Sequence, residues 1–395
     1  MLSVADARQR MLDAAARRPI ETVAIEHCAN RVLAAPVFAP RAQPPFRASA
    51  MDGYAIRASD TPRKLRIIGE SAAGRRYGYA LRPGEAVRIS TGAPLPDGAD
   101  TILIQEDARR EGDWIGAPAT PANRHVRPAG GDFCEGDELL KAGRSLDAGA
   151  LTLAAGAACA KLDVVARPRV AIFSGGDEIV APGAEAGPDQ VYDSTRYGIA
   201  AMSAAAGAAP RMMTLLPDVR WEVRSAVERA LEQSDLIVLI GGASVGDHDH
   251  ARAAMEELGI DLLVDKVSVR PGKPTWFGMC GAVAVLGLPG NPASALVCAR
   301  IFLRPLLDKM LGRDAALAST THAARLHAPL KANGARETYL RARSWRDDTS
   351  QLWAEPFPDQ DSSLMRVFAA SDCLIVRLPE APAAERDDIV RVLTL

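Results

Sequence analysis

RVAIFSGGDE, residues 169–178, runs a six-residue apolar strand into two glycines and two carboxylates. A short apolar run that ends on a glycine turn reads as a strand. The same pattern continues downstream. STRYGIAAMSAAAG (194–207) and WEVRSAVERALEQ (221–233) read as helices, DLIVLI (235–240) and AVAVLGL (282–288) as strands, and PASALVCARIFLRPLLDKML (292–311) as a closing helix. Strands alternating with helices predict a parallel sheet covered on both faces. This places an α/β domain over residues 169–312.

On either side the texture is different. Residues 3–18 predict an amphipathic helix with Ser3 as N-cap and Asp6 three positions later. LRIIGE (65–70), AVRIS (86–90) and TILIQED (101–107) read as strands between Gly and Pro punctuation. DAGALTLAAGAA (147–158) reads as a helix leading out of that region. Beyond residue 312, THAARLHAPL, ETYLRARSW, LWAEPF, CLIVRLPE and IVRVLTL predict a small β-barrel or sandwich. The expectation is a multidomain α/β plus β chain. Its parts are 1–43 with 139–168 as a linker or dimerisation domain, a β-rich domain at 44–138, the central parallel-sheet domain at 169–312, and a C-terminal small β-barrel at 313–395.

The 395 residues are 48% hydrophobic and 24% charged, which is ordinary for a globular chain. A formal charge of −2 argues against a general nucleic-acid binder. The N-terminus has no apolar signal core, and no later run reaches the ~18 apolar residues of a membrane span. Cytoplasmic residence and no membrane partner are therefore expected. Six cysteines without a CxxC predict neither a zinc knuckle nor a metal cluster.

In an open parallel sheet, ligands bind beyond the carboxyl ends of the strands. Three such ends carry glycine turns: SGGDE (174–178), GGASVGDHDH (241–250) and GLPGNPAS (287–294). One such turn is weak evidence, whereas three on one edge are strong. Asp177, Glu178, Asp247 and Asp249 crowd them. Hard oxygen ligands suit Mg²⁺ shared with substrate phosphate, and a carboxylate can also grip the amidine-like edge of a pterin or guanine. Helix capping is the plainer reading for Asp177. His248 and His250 read as solvated loop histidines rather than ligands. KVSVRPGKP (266–274) brings Lys266, Arg270 and Lys273 within eight positions, cations that can hold phosphate or another oxyanion. Carboxylates and cations together point to a nucleotide-like ligand, a divalent ion and a second anion.

PPFRASAMDGYAI (44–56) is a constrained turn with Asp52 at its tip. With SAMDGYAI, STGAPLPDGAD, SGGDE, YDSTR, GGASVGDHD, KVSVRPGKP and GLPGNPAS in this order, the whole chain resembles the molybdopterin molybdenumtransferase family, that of MoeA and the gephyrin E-domain. The resemblance implies insertion of molybdate into adenylylated molybdopterin, with release of AMP and help from Mg²⁺. It implies catalytic roles for Asp52, Thr91, Glu178, Asp218 and Asp249, with Glu178 and Asp249 as the Mg²⁺ candidates. A helix N-cap is an equal reading of Asp218. The substrate would be held by Ser174, Gly175, Gly176, Gly241, Gly242, Ser244, Lys266, Pro289, Gly290, Asn291 and Pro292. Molybdate would meet Arg270, Lys273, Ser294, Arg336 and Ser363, with Ser362 adjacent to the last.

The resemblance further implies a homodimer in which Asp52 and Thr91 of one subunit face the α/β domain of the other. It leaves room for transient contact with a molybdopterin adenylyltransferase. Thr195 stands in YDSTR where the family pattern has asparagine, and Arg270 where it has lysine. Two rival readings are the adenylyltransferase itself, whose α/β fold resembles 169–312, and a non-catalytic dimeric scaffold. The β-rich flanks favour the molybdenumtransferase over the first. The lack of a fused second enzyme domain or long linker disfavours the second.

Overall fold

The computed structural model describes residues 1–241 and 250–395. Six strands form the central sheet in the order Ala209–Met212, Arg169–Ser174, Leu236–Ile240, Val283–Leu288, Trp276–Cys280 and Asp261–Val264. The first four are parallel. Trp276–Cys280 runs antiparallel to both its neighbours, so the sheet is mixed at one edge.

Period-two alternation sorts the strand side chains into two cores. Val170, Ile172, Leu236, Val238, Ile240, Leu286 and Leu288 pack with Ile199, Ala295, Leu303 and Leu306. Ala171, Phe173, Ile237, Leu239 and Val285 pack on the other face with Val223, Val227, Ala254 and Met255. Burying each large aliphatic or aromatic chain contributes roughly 1.5–3 kcal/mol, so both faces are strongly held.

The N-terminal helix, Val4–Ala14, is shorter than the spacing predicts. Ser3 caps it by accepting from the Asp6 N–H at 3.0 Å and donates its hydroxyl to the Asp6 carboxylate at 2.7 Å. Val4, Ala7 and Met11 join the same core as Val264, Phe277 and Leu306. The first helix therefore packs on the central unit. The closing helix is interrupted: Pro292–Cys298 passes through a π segment, Ala299–Leu303, into Arg304–Met310. Pro305 follows that segment and has no N–H to continue an α ladder, which accounts for the change of pitch.

In the β-rich region a six-stranded sheet has the order Thr101–Ile104, Gly53–Ile56, Glu85–Ile89, Arg63–Ser71, Trp114–Ala117 and Arg109–Glu111. TILIQED is strand only to Ile104, and Gln105–Asp107 is a 3-10 turn. Ile20–Ala24 pairs with Lys161–Val165. Between them in sequence, the helix Ala148–Gly156 is capped by Asp147, which accepts from the Ala150 N–H at 2.8 Å.

At the C-terminus Glu337–Arg346, Leu352–Pro356, His322–Leu326, Ile389–Thr394 and Cys373–Arg377 follow one another in a sheet that closes when the last pairs back to the first. This is the expected small barrel. Val269–Arg270, from within the central region, adds to it as a further strand beside Glu337–Arg346. Among the described residues no helix is long and apolar enough to cross a membrane.

Candidate functional site

Parallel pairing sets Ser174, Ile240 and Leu288 level, so the turns after these strands emerge at one edge. They touch. A Cβ on Gly241, where φ is +83°, would lie 3.0 Å from the Gly175 carbonyl oxygen, and one on Gly290 would lie 3.5 Å from the Gly241 Cα. Side chains there would hold the turns apart.

Around this edge lies a cleft of about 700 Å³. It takes in Ser174, Gly175, Gly176, Glu178, Asp218 and Gly241 from the first part of the sheet. Pro289, Gly290, Asn291, Pro292 and Ser294 form the opposite wall, and Ser363 reaches in from the C-terminal region. Gly242, Ser244, Asp247, His248 and Asp249 lie outside the described residues.

The carboxylates divide into two kinds. Asp177 and Asp218 are reciprocally bonded: the Asp218 N–H donates to Asp177 Oδ1 at 3.0 Å, and the Asp177 N–H to Asp218 Oδ2 at 3.4 Å. Each locks the other's loop. The following helix, Arg220–Leu231, has Val219 at its cap without a side-chain bond, so Asp218 is not its N-cap. Glu178 is exposed, and among the described residues its carboxylate has no hydrogen-bond or ion-pair partner. It lies over Gly176, with Oε2 only 2.4 Å from where a Cβ on that glycine would be.

The basic loop flanks the cleft. Gly272 and Pro274 line it, with the exposed Lys273 between them. Arg270 is exposed on the short strand paired to Glu337–Arg346. Arg336 donates to the Val269 carbonyl at 3.4 Å. Lys266 is half-buried, and its carbonyl accepts from the Leu2 N–H at 3.2 Å. None of these four cations lines the cleft, and among the described residues none is within ion-pair distance of a carboxylate.

The adjacent serines have separate tasks. Ser362 clasps the opposite wall: its Oγ accepts from Asn291 Nδ2 at 2.8 Å and its carbonyl from the Ala293 N–H at 3.1 Å. Ser363 lines the cleft and is steadied by Asp361, which accepts from its hydroxyl at 2.6 Å and its N–H at 2.8 Å. Those two bonds, hydroxyl first, hold the Asp361 carboxyl below its ordinary range.

Asp52 and Thr91 are joined to each other but do not line this cleft. Asp52 Oδ1 accepts from the Thr91 N–H at 2.6 Å and from its hydroxyl at 3.0 Å. These bonds, the backbone one first, hold the Asp52 carboxyl below the usual carboxylate range. Gly53 is required by the pairing itself, since a Cβ there would meet the Leu103 carbonyl oxygen at 2.1 Å.

The wall also contains Tyr192, Asp193 and Ser194, which sequence reasoning did not assign, and Thr195, the departure from the family pattern, with Met365 beside Ser363. Asp193 is buried and paired with Arg196 at 2.7 Å. YDSTR was the available signal, but nothing in its spacing separates a ligand-facing hydroxyl from an ion pair that braces a helix start. The arrangement is a concave, hydroxyl-lined edge with flanking cations, and among the described residues Glu178 is its unpartnered carboxylate; the Gly175, Gly176 and Gly241 amides donate to the Ile240, Leu216 and Leu288 carbonyls and brace the turns. The edge suits a large polar ligand bearing phosphate and a second oxyanion.

Residues 2–158 match the model of the MoeA N-terminal region (domain I and II). Residues 171–309 match the "Probable molybdopterin binding domain", and 323–395 the MoeA C-terminal region (domain IV). The chain is 32% identical over 384 residues to a molybdopterin molybdenumtransferase of Haemophilus influenzae, covering 95% of this chain and 94% of that one. It is 35% identical over 322 residues to a protein of the same name from Nostoc sp., covering 79% and 74%. The solved structure of a molybdopterin biosynthesis MoeA protein from Pyrococcus horikosii superposes with a TM-score of 0.83 at 30% identity, over 100% of this chain and 99% of that one. Matched along nearly its whole length in sequence and in fold, the chain belongs to the molybdopterin molybdenumtransferase family.

Proposed function

We propose that this protein inserts molybdenum from molybdate into adenylylated molybdopterin, releasing AMP, in the synthesis of the molybdenum cofactor. The observation that carries this reading is the cleft at the sheet edge, where three glycine turns, the Glu178 carboxylate and Ser363 converge. Hydroxyls on its walls, from Ser174, Ser194 and Thr195, are suited to the phosphate and pterin portions. The basic loop at 270–274 and the Ser294 and Ser363 hydroxyls are suited to an oxyanion. The substrate supplies its own dithiolene sulfurs, so no cysteine cluster is needed.

The donor set fits a Mg²⁺ ion bound largely through substrate oxygens. Such ions use one or two carboxylates plus phosphate, and Glu178 presents an unpartnered carboxylate in the cleft. Among the described residues no group of three or more ligating side chains could hold a metal by itself. Bound there, Mg²⁺ would offset charge on the phosphoanhydride. Asp249 is the proposed second carboxylate.

The active unit in this reading is a homodimer. Asp52, fixed by Thr91, faces the cleft of the partner subunit, which gives a function to a rigid turn that lies outside its own chain's cleft. Cytoplasmic residence, without nucleic-acid or membrane partners, accords with soluble substrates. Transient delivery by an adenylyltransferase accords with an adenylylated one.

The experiment supplies purified protein with pre-adenylylated molybdopterin, molybdate and Mg²⁺, and measures AMP and molybdenum cofactor. Both should form together. Turnover only from ATP and unmodified molybdopterin would reassign the protein as the adenylyltransferase, and neither binding nor turnover would favour a scaffold.

A further inference from the structure

Beneath the 271–274 turn lies a buried thiol that the reaction does not require. Cys298 ends the helix Pro292–Cys298 and is fully buried, as is Thr275. Gly272, where φ is +113°, packs directly on it: a Cβ there would be 2.1 Å from Cys298 Sγ. Thr275 accounts for the Gly272 carbonyl, which accepts from its N–H at 3.0 Å and its hydroxyl at 2.8 Å. The Thr275 oxygen is also 3.2 Å from Cys298 Sγ. The thiol has further weak acceptors in the Pro271 and Gly272 carbonyls, at 3.8 and 4.0 Å. One arrangement satisfies both protons: Thr275 O–H donates to Gly272, and Cys298 S–H donates to Thr275.

This network joins the two walls of the cleft. Ser294 is one helical turn before Cys298, on the same face, and lines the cleft with Gly272 and Pro274. The Cys298 sulfur therefore lies between the Ser294 helix and the turn that follows Arg270 and carries Lys273. Burial pushes the Cys298 thiol up to about 12, so it stays neutral and is no nucleophile.

We propose that Cys298 and Thr275 are positioning residues that seat the Pro271–Pro274 turn against the Ser294 helix, and so set the geometry of the oxyanion end of the site. This rests on the molybdate-insertion reading. The test compares Cys298→Val, Cys298→Ser and Thr275→Val in the full-length protein.

Cys298→Val adds bulk where Gly272 leaves none, and should raise the KM for molybdate about tenfold while the KM for adenylylated molybdopterin changes less than about twofold. Cys298→Ser should restore the molybdate KM to within about threefold of the wild type. Thr275→Val keeps the shape, loses the hydroxyl bonds and should move the molybdate KM in the same direction as Cys298→Val. Hydrogen exchange at the Thr275 and Val267 amides, which donate to the Gly272 and Lys273 carbonyls, should quicken in both valine variants. Folded valine variants with wild-type molybdate KM and unchanged exchange would overturn the proposal. If the wild type does not use molybdate at all, the functional reading fails, and the exchange measurement alone still decides whether the thiol seats the turn.

Discussion

The proposed sharing of the site between subunits can be tested by mixing two variant proteins. Asp52 is held by Thr91 at the end of the β-rich sheet, whereas Glu178 lies in the cleft and Asp52 does not line it. If the cleft draws Asp52 from the other subunit, Asp52→Asn and Glu178→Gln damage different contributors to each site. Each homodimer then carries the lesion in both sites. A heterodimer carries both lesions in one site and neither in the other. Random exchange makes about half the dimers heterodimers, with one of two sites intact, so about one quarter of wild-type activity should return.

The assay is AMP release from adenylylated molybdopterin with molybdate, before and after subunits are mixed under mild dissociating conditions. Dimer composition is read by mass on differently tagged chains. Both single variants should keep the wild-type secondary structure, since neither side chain is buried. If Asp52 served its own chain's cleft, every heterodimer site would carry one lesion and mixing would restore nothing. Confirmed heterodimers with no recovered activity therefore refute the cross-subunit assignment.

Three further outcomes follow from packing and charge. Gly287→Ala would place a Cβ 2.1 Å from the Trp276 ring inside the core. Equilibrium denaturation should show a loss of about 2–3 kcal/mol, typical of overpacking, and an unchanged midpoint would contradict this packing. Asp235, buried between Arg169 at 2.7 Å and Arg18 at 2.8 Å, has its carboxyl raised by burial but lowered overall by those guanidinium groups and the Arg169 N–H. A depressed folded-state value contributes stability above the ordinary carboxylate range, near pH 3.9, and loses it as pH falls through the folded value. Asp235→Asn should therefore cost about 2 kcal/mol at pH 7, and the gap to wild type should narrow in urea titrations below about pH 4. Cys134 is exposed, whereas Cys298 and Cys373 are buried and pushed up to about 12. A thiol reagent at neutral pH should label Cys134 first and those two only on unfolding; rapid labelling of Cys298 in the folded protein would refute its burial.

The interior of the central sheet was legible because Arg169–Ser174, Leu236–Ile240 and Val283–Leu288 are covered on both faces and read as apolar runs. Ala209–Met212 escaped because it is an edge strand with a proline and exposed residues. Trp276–Cys280 and Asp261–Val264 escaped because they form an antiparallel edge, which alternation of strands and helices does not predict. The π segment at Ala299–Leu303 lies inside an unbroken apolar helical pattern. Within the site, motif order located the turns. The Asp52–Thr91 bond and the division of labour between Ser362 and Ser363 depend on contacts across 39 and 71 positions, which local sequence does not encode.

The seating of Val4, Ala7 and Met11 among Val264, Phe277 and Leu306 has a consequence for biogenesis. The helix Val4–Ala14 finds its full native surface only when Leu306, late in the central unit, emerges from the ribosome. At about 5–20 residues per second, that interval is on the order of tens of seconds. Throughout it the nascent leading helix carries an apolar stripe with no native surface to cover it, so this end of the chain is where a chaperone would be needed during synthesis.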